Sequence, residues 1–241
     1  MKYELIKDKV YYRFFDKTDK VSTGIYNIYN CDDDTKISEA KQNIVNVKEF
    51  MQAEDIFLLK QVHGNEVVLY NRSENIFEAD ASITNQKNII LAIKTADCVP
   101  VLLASEVGII GAAHCGWRSS KLDIIKKTVK IMQDMGVKDI KCVIGPAIFQ
   151  QSYEVNIDFY NNFMLESNNN RNFFIDSINE NHFMFDLIAY VKMKLDKENV
   201  EIIHHLAEDT YQIPEKYPSY RWSTHQQKPY TQNILGAIII R

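Results

Sequence analysis

The stretch Lys94 to Arg118, KTADCVPVLLASEVGIIGAAHCGWR, constrains the fold more than any other. Val99 to Ala104 and Val107 to Ala113 are apolar runs rich in β-branched residues, separated by Ser105-Glu106. A two-residue break between such runs predicts a β-hairpin. Continuous apolar strands, without alternation, belong where both faces of a sheet are covered. The hairpin gathers its polar residues at one rim: Asp97 and Cys98 before the first strand, His114 to Arg118 after the second. A thiol and an imidazole placed there suggest a nucleophile with its base, or two ligands of a metal. A lone Cys before an apolar strand is more often a small core residue. The pairing of Cys98 with His114, flanked by Asp97 and Arg118, favours a functional role. Side chains alternate along extended chain, so Cys115 is read as a packing residue on the opposite face.

The flanks supply strands and helices in mixed order. Residues 2 to 15 predict one or two strands, and Val21 to Asn30 a turn and a further short strand. Ile37 to Ala53 carries apolar residues at helical spacing. The acidic run Asp32, Asp33 and Asp34 suits that helix's N-terminus, where the macrodipole favours negative charge. A calcium loop is the sharper reading, but the alternating ligand spacing and closing Glu are missing. Ile56 to Leu59, Glu66 to Tyr70, Ser82 to Thr84, Ile89 to Ile93, Ile140 to Ile144, Val200 to Ile203 and Leu235 to Ile240 predict strands. Lys121 to Met135, Asn156 to Leu165 and Phe185 to Leu195 predict helices; Asn168 to Asn172 and Tyr211 to Tyr230 predict loops. Interleaved elements of this kind imply a mixed sheet covered by helices. His63 sits in a turn beside Gly64, where a lone histidine is usually an ordinary loop residue.

Composition narrows the class. With 241 residues, 8 Gly, 5 Pro and no linker-like segment, one domain over 1–241 is expected. A net charge of -4 lacks the basic footprint of a nucleic-acid binder. The N-terminus has no signal-peptide core and no run of 18 apolar residues occurs, so a cytoplasmic chain without a membrane partner is expected. Cys31, Cys98, Cys115 and Cys142 then read as thiols or ligands rather than disulfides.

KQVHG at 60–64, ADAS at 79–82, TADCVP at 95–100, AAHCGWR at 112–118, IGPAI at 144–148 with Tyr153-Glu154-Val155, and SYR at 219–221 stand in the order of the YfiH family. The sequence resembles that family, also called the laccase-domain or multicopper polyphenol oxidase family and including FAMIN, over nearly its whole length. The resemblance implies an α/β mixed fold, an αββα layered sandwich like the cytotoxic necrotizing factor catalytic domain. It implies zinc held by His63, Cys98 and His114. It also implies purine nucleoside chemistry: phosphorolysis of adenosine, inosine, guanosine and methylthioadenosine, and deamination of adenosine.

Two imidazoles and a thiolate with a fourth position open form the pattern of a catalytic zinc site. Hydrolysis at purine C6 needs a general acid/base, and Asp97 or Asp80 could serve, or orient a ligand histidine instead. Phosphorolysis needs an anion site. Arg118 is the first candidate and Arg221 the second, because guanidinium pairs two phosphate oxygens in one plane. Trp117 could stack the base or belong to the core. Copper also accepts Cys and His, but multicopper chemistry needs several His-rich sites and the chain has 6 histidines. A metal-free Cys98/His114 hydrolase or a regulatory binding protein is the remaining reading. The oligomer is left open between monomer and homodimer. The family pattern is departed from at Cys115 and Ser119 within HCGWRSS, at Asp209-Thr210 where Cys-Thr is usual, and at Thr231-Gln232-Asn233 where Gly-Arg is usual.

Overall fold

The computed structural model describes residues 3–29, 33–70 and 76–241. Asn30, Cys31 and Asp32 lie outside the described residues. Two sheets lie face to face, with helices on the outer side of each. The five-stranded sheet contains β1 (Tyr3–Ile6), β2 (Val10–Phe15), β3 (Asp55–Leu58), β6 (Ile89–Thr95) and β14 (Ile234–Ile240), in the order β1-β2-β14-β6-β3. The six-stranded sheet contains β4 (Val67–Leu69), β5 (Ala81–Thr84), β7 (Val99–Ala104), β8 (Ile110–Cys115), β9 (Lys141–Ile144) and β13 (Glu201–His205), in the order β13-β9-β7-β8-β5-β4. Parallel pairs (β3 with β6, β4 with β5, β9 with β13) sit beside antiparallel ones, so both sheets are mixed. A third sheet of β10 (Glu154–Asn156), β11 (Phe174–Asp176) and β12 (His182–Phe185) flanks them.

Burial explains the long apolar runs. Every residue of β7, β8 and β14 is buried, because each strand lies inside its sheet with both faces covered. Between the sheets, Phe14, Leu91, Ile93 and Ile238 meet Leu102, Ile110, Ala112 and Val143. Outside the five-stranded sheet lies α1 (Asp34–Met51), which buries Val47 and Met51 against Phe15, Ile90 and Leu235. Outside the six-stranded sheet lie α2 (Trp117–Lys121), α3 (Ile124–Asp134), α4 (Ile157–Met164) and α5 (Leu187–Lys197). The result is the expected α/β/β/α layering. At Gly145 the sheets approach so closely that a Cβ would fall 2.4 Å from the Phe14 ring and 2.7 Å from Pro100.

Local outcomes differ from expectation where backbone chemistry outranks periodicity. Asp33 caps α1, accepting from the N–H groups of Thr35 and Lys36. The helix expected over 121–135 is two helices. Asp123 takes a left-handed conformation (φ 62°) between them, its carboxylate held by Lys194 at 2.7 Å. The hairpin break is longer than two residues. The Ser105 N–H donates to the Ile109 carbonyl at 3.0 Å, its hydroxyl accepts from the Ile109 N–H at 3.2 Å, and Gly108 turns the chain at φ 81°. Val107 is therefore exposed in a loop, and His114 lies within β8 rather than beyond it. No strand forms over 21–29. The segment 211–230 contains a short helix, α6 (Tyr220–His225).

Candidate metal centre and its cavity

Three elements converge at one rim of the paired sheets. His63 lies in the turn after β3, Cys98 in the bend between β6 and β7, and His114 in β8. Their ligand atoms lie within 4.8 Å of one another. Cys98 Sγ is 3.9 Å from His63 Nε2, and the imidazole centroids are 4.7 Å apart. Tetrahedral zinc spans about 3.5 Å between such donors. Register accounts for the neighbour of His114. His114 pairs with Pro100 and faces the rim, while Cys115 points into the opposite apolar face among Val99, Val101 and Ala113.

Asp80 organises the cluster. Its Oδ1 lies 2.7 Å from His114 Nδ1 and 3.0 Å from the His63 N–H, which donates to it. Its Oδ2 accepts from Gly64 at 2.7 Å and Val62 at 3.2 Å. Burial opposes ionisation of Asp80. His114 and these amide donors outweigh it and hold the carboxyl below its usual range. One carboxylate thus aims His114 Nε2 toward the cluster and shapes the turn carrying His63, itself at φ 58°. Burial likewise pushes the Cys98 thiol up, but the imidazoles of His114 and His63 bring it down to about 7. For His114, burial disfavours the charged ring, and Cys98 and Asp80 more than compensate, raising it. A depressed thiol, two imidazoles and an orienting carboxylate suit a borderline-soft divalent cation. Gly116 leaves room for it, since a Cβ there would press to 3.1 Å on both Cys98 Sγ and His63 Cδ2.

The cluster opens into a cavity of about 660 Å³, within the range of small-molecule sites. Arg118, Trp117, Asp97 and Arg221 line it together with the three cluster residues, while Asp80 lies behind. Trp117 does double duty: one side packs on Phe159 at a 5.0 Å centroid distance, and the Arg118 guanidinium lies 4.9 Å from its ring. Arg118 has no carboxylate partner among the described residues. Arg221 is committed to the protein, donating through Nη1 to the Glu154 carbonyl at 2.7 Å and lying 5.0 Å from the Tyr153 ring. Asp97 (φ 91°) is a staple as well as a lining residue. It accepts from the Thr210 hydroxyl and the Arg221 N–H, each at 2.7 Å, and burial raises its carboxyl above the usual range. Asp209 is buried away from the cluster, tying Ser152, Phe149 and Tyr211 together.

The cavity also exposes residues that motif reading did not single out: Tyr29, Gln61, Lys94, Tyr220 and Tyr230. Lys94 carried a readable signal, as the one charge in the strand IILAIKT.

Fold and site together define an α/β/β/α protein with a three-ligand metal-type centre at the rim of its paired sheets. The profile of the family described as multi-copper polyphenol oxidoreductase laccase matches residues 12–240. The chain belongs to this laccase-like YfiH family. A Rickettsia conorii protein named purine nucleoside phosphorylase is 50% identical over 242 residues, covering 98% of this chain and 99% of its own. One of the same description from Rickettsia prowazekii is 47% identical over 243 residues, covering 98% and 99%. The crystal structure of a Neisseria meningitidis protein superposes with a TM-score of 0.82 over 100% of this chain and 98% of its own, at 23% identity. The Bacillus licheniformis hypothetical protein YfiH reaches 0.81 over 96% and 93%, at 21% identity. At those identities the likeness shows the fold. No described helix is long and apolar enough to cross a membrane.

Proposed function

We propose that this chain is a zinc-dependent purine nucleoside phosphorylase. Its substrates are adenosine, inosine, guanosine and methylthioadenosine, and it also deaminates adenosine. The observation that carries this reading is one cavity holding both the His63, Cys98 and His114 cluster and an unpaired guanidinium, Arg118. The names of the Rickettsia relatives support the substrate class.

Zinc held by His63, Cys98 and His114 supplies Lewis acidity when bound. Asp80 is a positioning residue: it lies behind the cavity lining and holds the His114 ring and the turn that carries His63. Asp97 is the remaining candidate for acid/base work, because it alone of the two carboxylates lines the cavity. Burial raises its carboxyl above the usual range, the direction that a general acid needs. Arg118 presents a planar fork to phosphate beside the ribose. Arg221 holds Asp97 through its backbone and the Glu154 strand through its side chain, so its role is architectural. Trp117 offers a ring beside Arg118 for the base or ribose.

Metal analysis of protein purified without added metal, combined with hypoxanthine release from inosine, tests the reading. About one zinc per chain and release that saturates with phosphate are expected. Copper in its place with phenol oxidation, or release independent of phosphate, rejects it.

A further inference from the structure

Lys94 occupies a place where an ammonium is costly. Every other residue of β6 is buried. No carboxylate of the described residues lies within ion-pair distance of its Nζ, whose recorded neighbour is the Tyr29 ring at 5.4 Å. Long cationic side chains in apolar walls are ordinarily paired or reach open water. Lys94 instead faces the same cavity as Arg118 and the metal-type cluster. The lining offers it no free countercharge, since both oxygens of Asp97 are bonded to Thr210 and Arg221. The chain as a whole carries -4, so the accumulation of cations here is local.

The position is also rigid. Gln61 accepts from the Lys94 N–H at 2.9 Å and donates to its carbonyl at 2.7 Å. The same Gln61 lies two residues before His63, so one side chain sets the registry of Lys94 against the turn that carries His63. An ammonium carried on a backbone held in this way, with no ion-pair partner among the described residues, is a ready anion site, with the cost of desolvation already met in the folded chain.

We infer that Lys94 binds a phosphoryl anion at the Tyr29 end of the cavity, making the anion site two-sided with Arg118. This rests on the phosphorolytic reading for its biological meaning but not for its test. Free phosphate and the 5′-phosphate of a purine nucleotide present the same chemistry, and direct binding separates them.

Full-length zinc-loaded protein is titrated separately with inorganic phosphate, inosine and IMP by calorimetry, so that inosine meets no phosphate, for wild type, Lys94→Gln and Lys94→Arg. A lost charge-assisted contact weakens binding roughly 10- to 100-fold, and Arg restores part of it. Weakening of phosphate alone identifies free phosphate as the ligand. Weakening of IMP with inosine unchanged identifies the nucleotide phosphate. Zinc content and melting temperature at or above wild type show that the variants are folded. Unchanged affinity for both anions in Lys94→Gln, or a wild type that binds neither, overturns the inference. Phosphate binding that depends on Lys94 in a protein unable to cleave inosine would reject the phosphorylase reading and leave this one standing.

Discussion

Two parts of the cavity wall treat charge in opposite ways. Around His114 the charged groups are partnered: Asp80 accepts from His114 and three backbone amides, and the thiol lies against two imidazoles. Around Lys94, the charge has an aromatic face and no counterion among the described residues. A satisfied buried network holds geometry. An unsatisfied one costs stability and persists where a ligand completes it. The first part fixes donor atoms in place, and the second leaves a charge that the proposed anion would complete.

The comparison breaks most completely at the metal corner. Cys98→Ala leaves two imidazoles, and bound zinc is expected to fall from near one per chain to below about a tenth, with activity lost alongside. Elemental analysis of the purified variant decides this, and an unchanged zinc content would move the ligand assignment elsewhere.

Lys94→Met should do the reverse of most buried substitutions and stabilise the protein. Burial pulls the Lys94 ammonium from its ordinary value of 10.5 down to about 8. The folded state therefore binds its proton less tightly than the unfolded chain, and the penalty is full below pH 8. It fades as pH rises from 8 to 10.5. At pH 7 the variant gains on the order of 3 kcal/mol, and at pH 10 less than about 1 kcal/mol. Urea unfolding at the two pH values measures the difference, and an equal gain at both would assign it to packing.

Arg118→Ala removes an exposed guanidinium and should leave zinc and stability intact. Inosine phosphorolysis should fall by about one to two decades through lost phosphate contacts, and adenosine deamination should fall less. Ammonia and hypoxanthine release measured together separate the two. Equal loss of both activities would remove the phosphate-specific role.

Asp80→Asn keeps the shape and removes an acceptor. Loss of that orienting contact weakens metal binding about 10- to 100-fold. Competition with a graded chelator reads the affinity directly. The smallest change expected is Cys115→Ala, which trims a buried thiol on the far face at about 1 kcal/mol and leaves zinc bound. Loss of metal there would reverse the assignment of faces along β8.

Much of the layered fold was legible because its strands are central. β7, β8 and β14 announce themselves as uninterrupted apolar runs, and α1 by its spacing and acidic start. The third sheet was not legible. Its strands are three or four residues long, too short to show alternation, and their aromatic residues serve a core built by Phe163, Phe174 and Phe185. The loop at 105–109 was hidden inside an apolar run because Val107 is exposed there without breaking the pattern. At the site, Cys98 and His114 followed from the hairpin alone. His63 needed family resemblance, because its partner Asp80 is seventeen residues away in sequence and only the fold brings them together. Lys94 was passed over because periodicity scores apolar positions and treats a charge at a strand end as a boundary.

The placement of β14 has a consequence for biosynthesis. Ile234–Ile240 inserts between β2 and β6, pairing with β2 across 220 to 230 positions and with β6 across 139 to 149. While the chain is being made N-terminus first, β2 and β6 wait with unpaired edges, and Asp97 waits for Thr210 and Arg221. The rim that carries Cys98 can close only after Thr210 and Arg221 have been made. Slow closure of so distant a pairing leaves apolar strand edges open to other chains in the interval. A nascent chain arrested before residue 234 should therefore be a client for chaperones and a poor binder of metal, whatever its sequence has already placed at 63, 98 and 114.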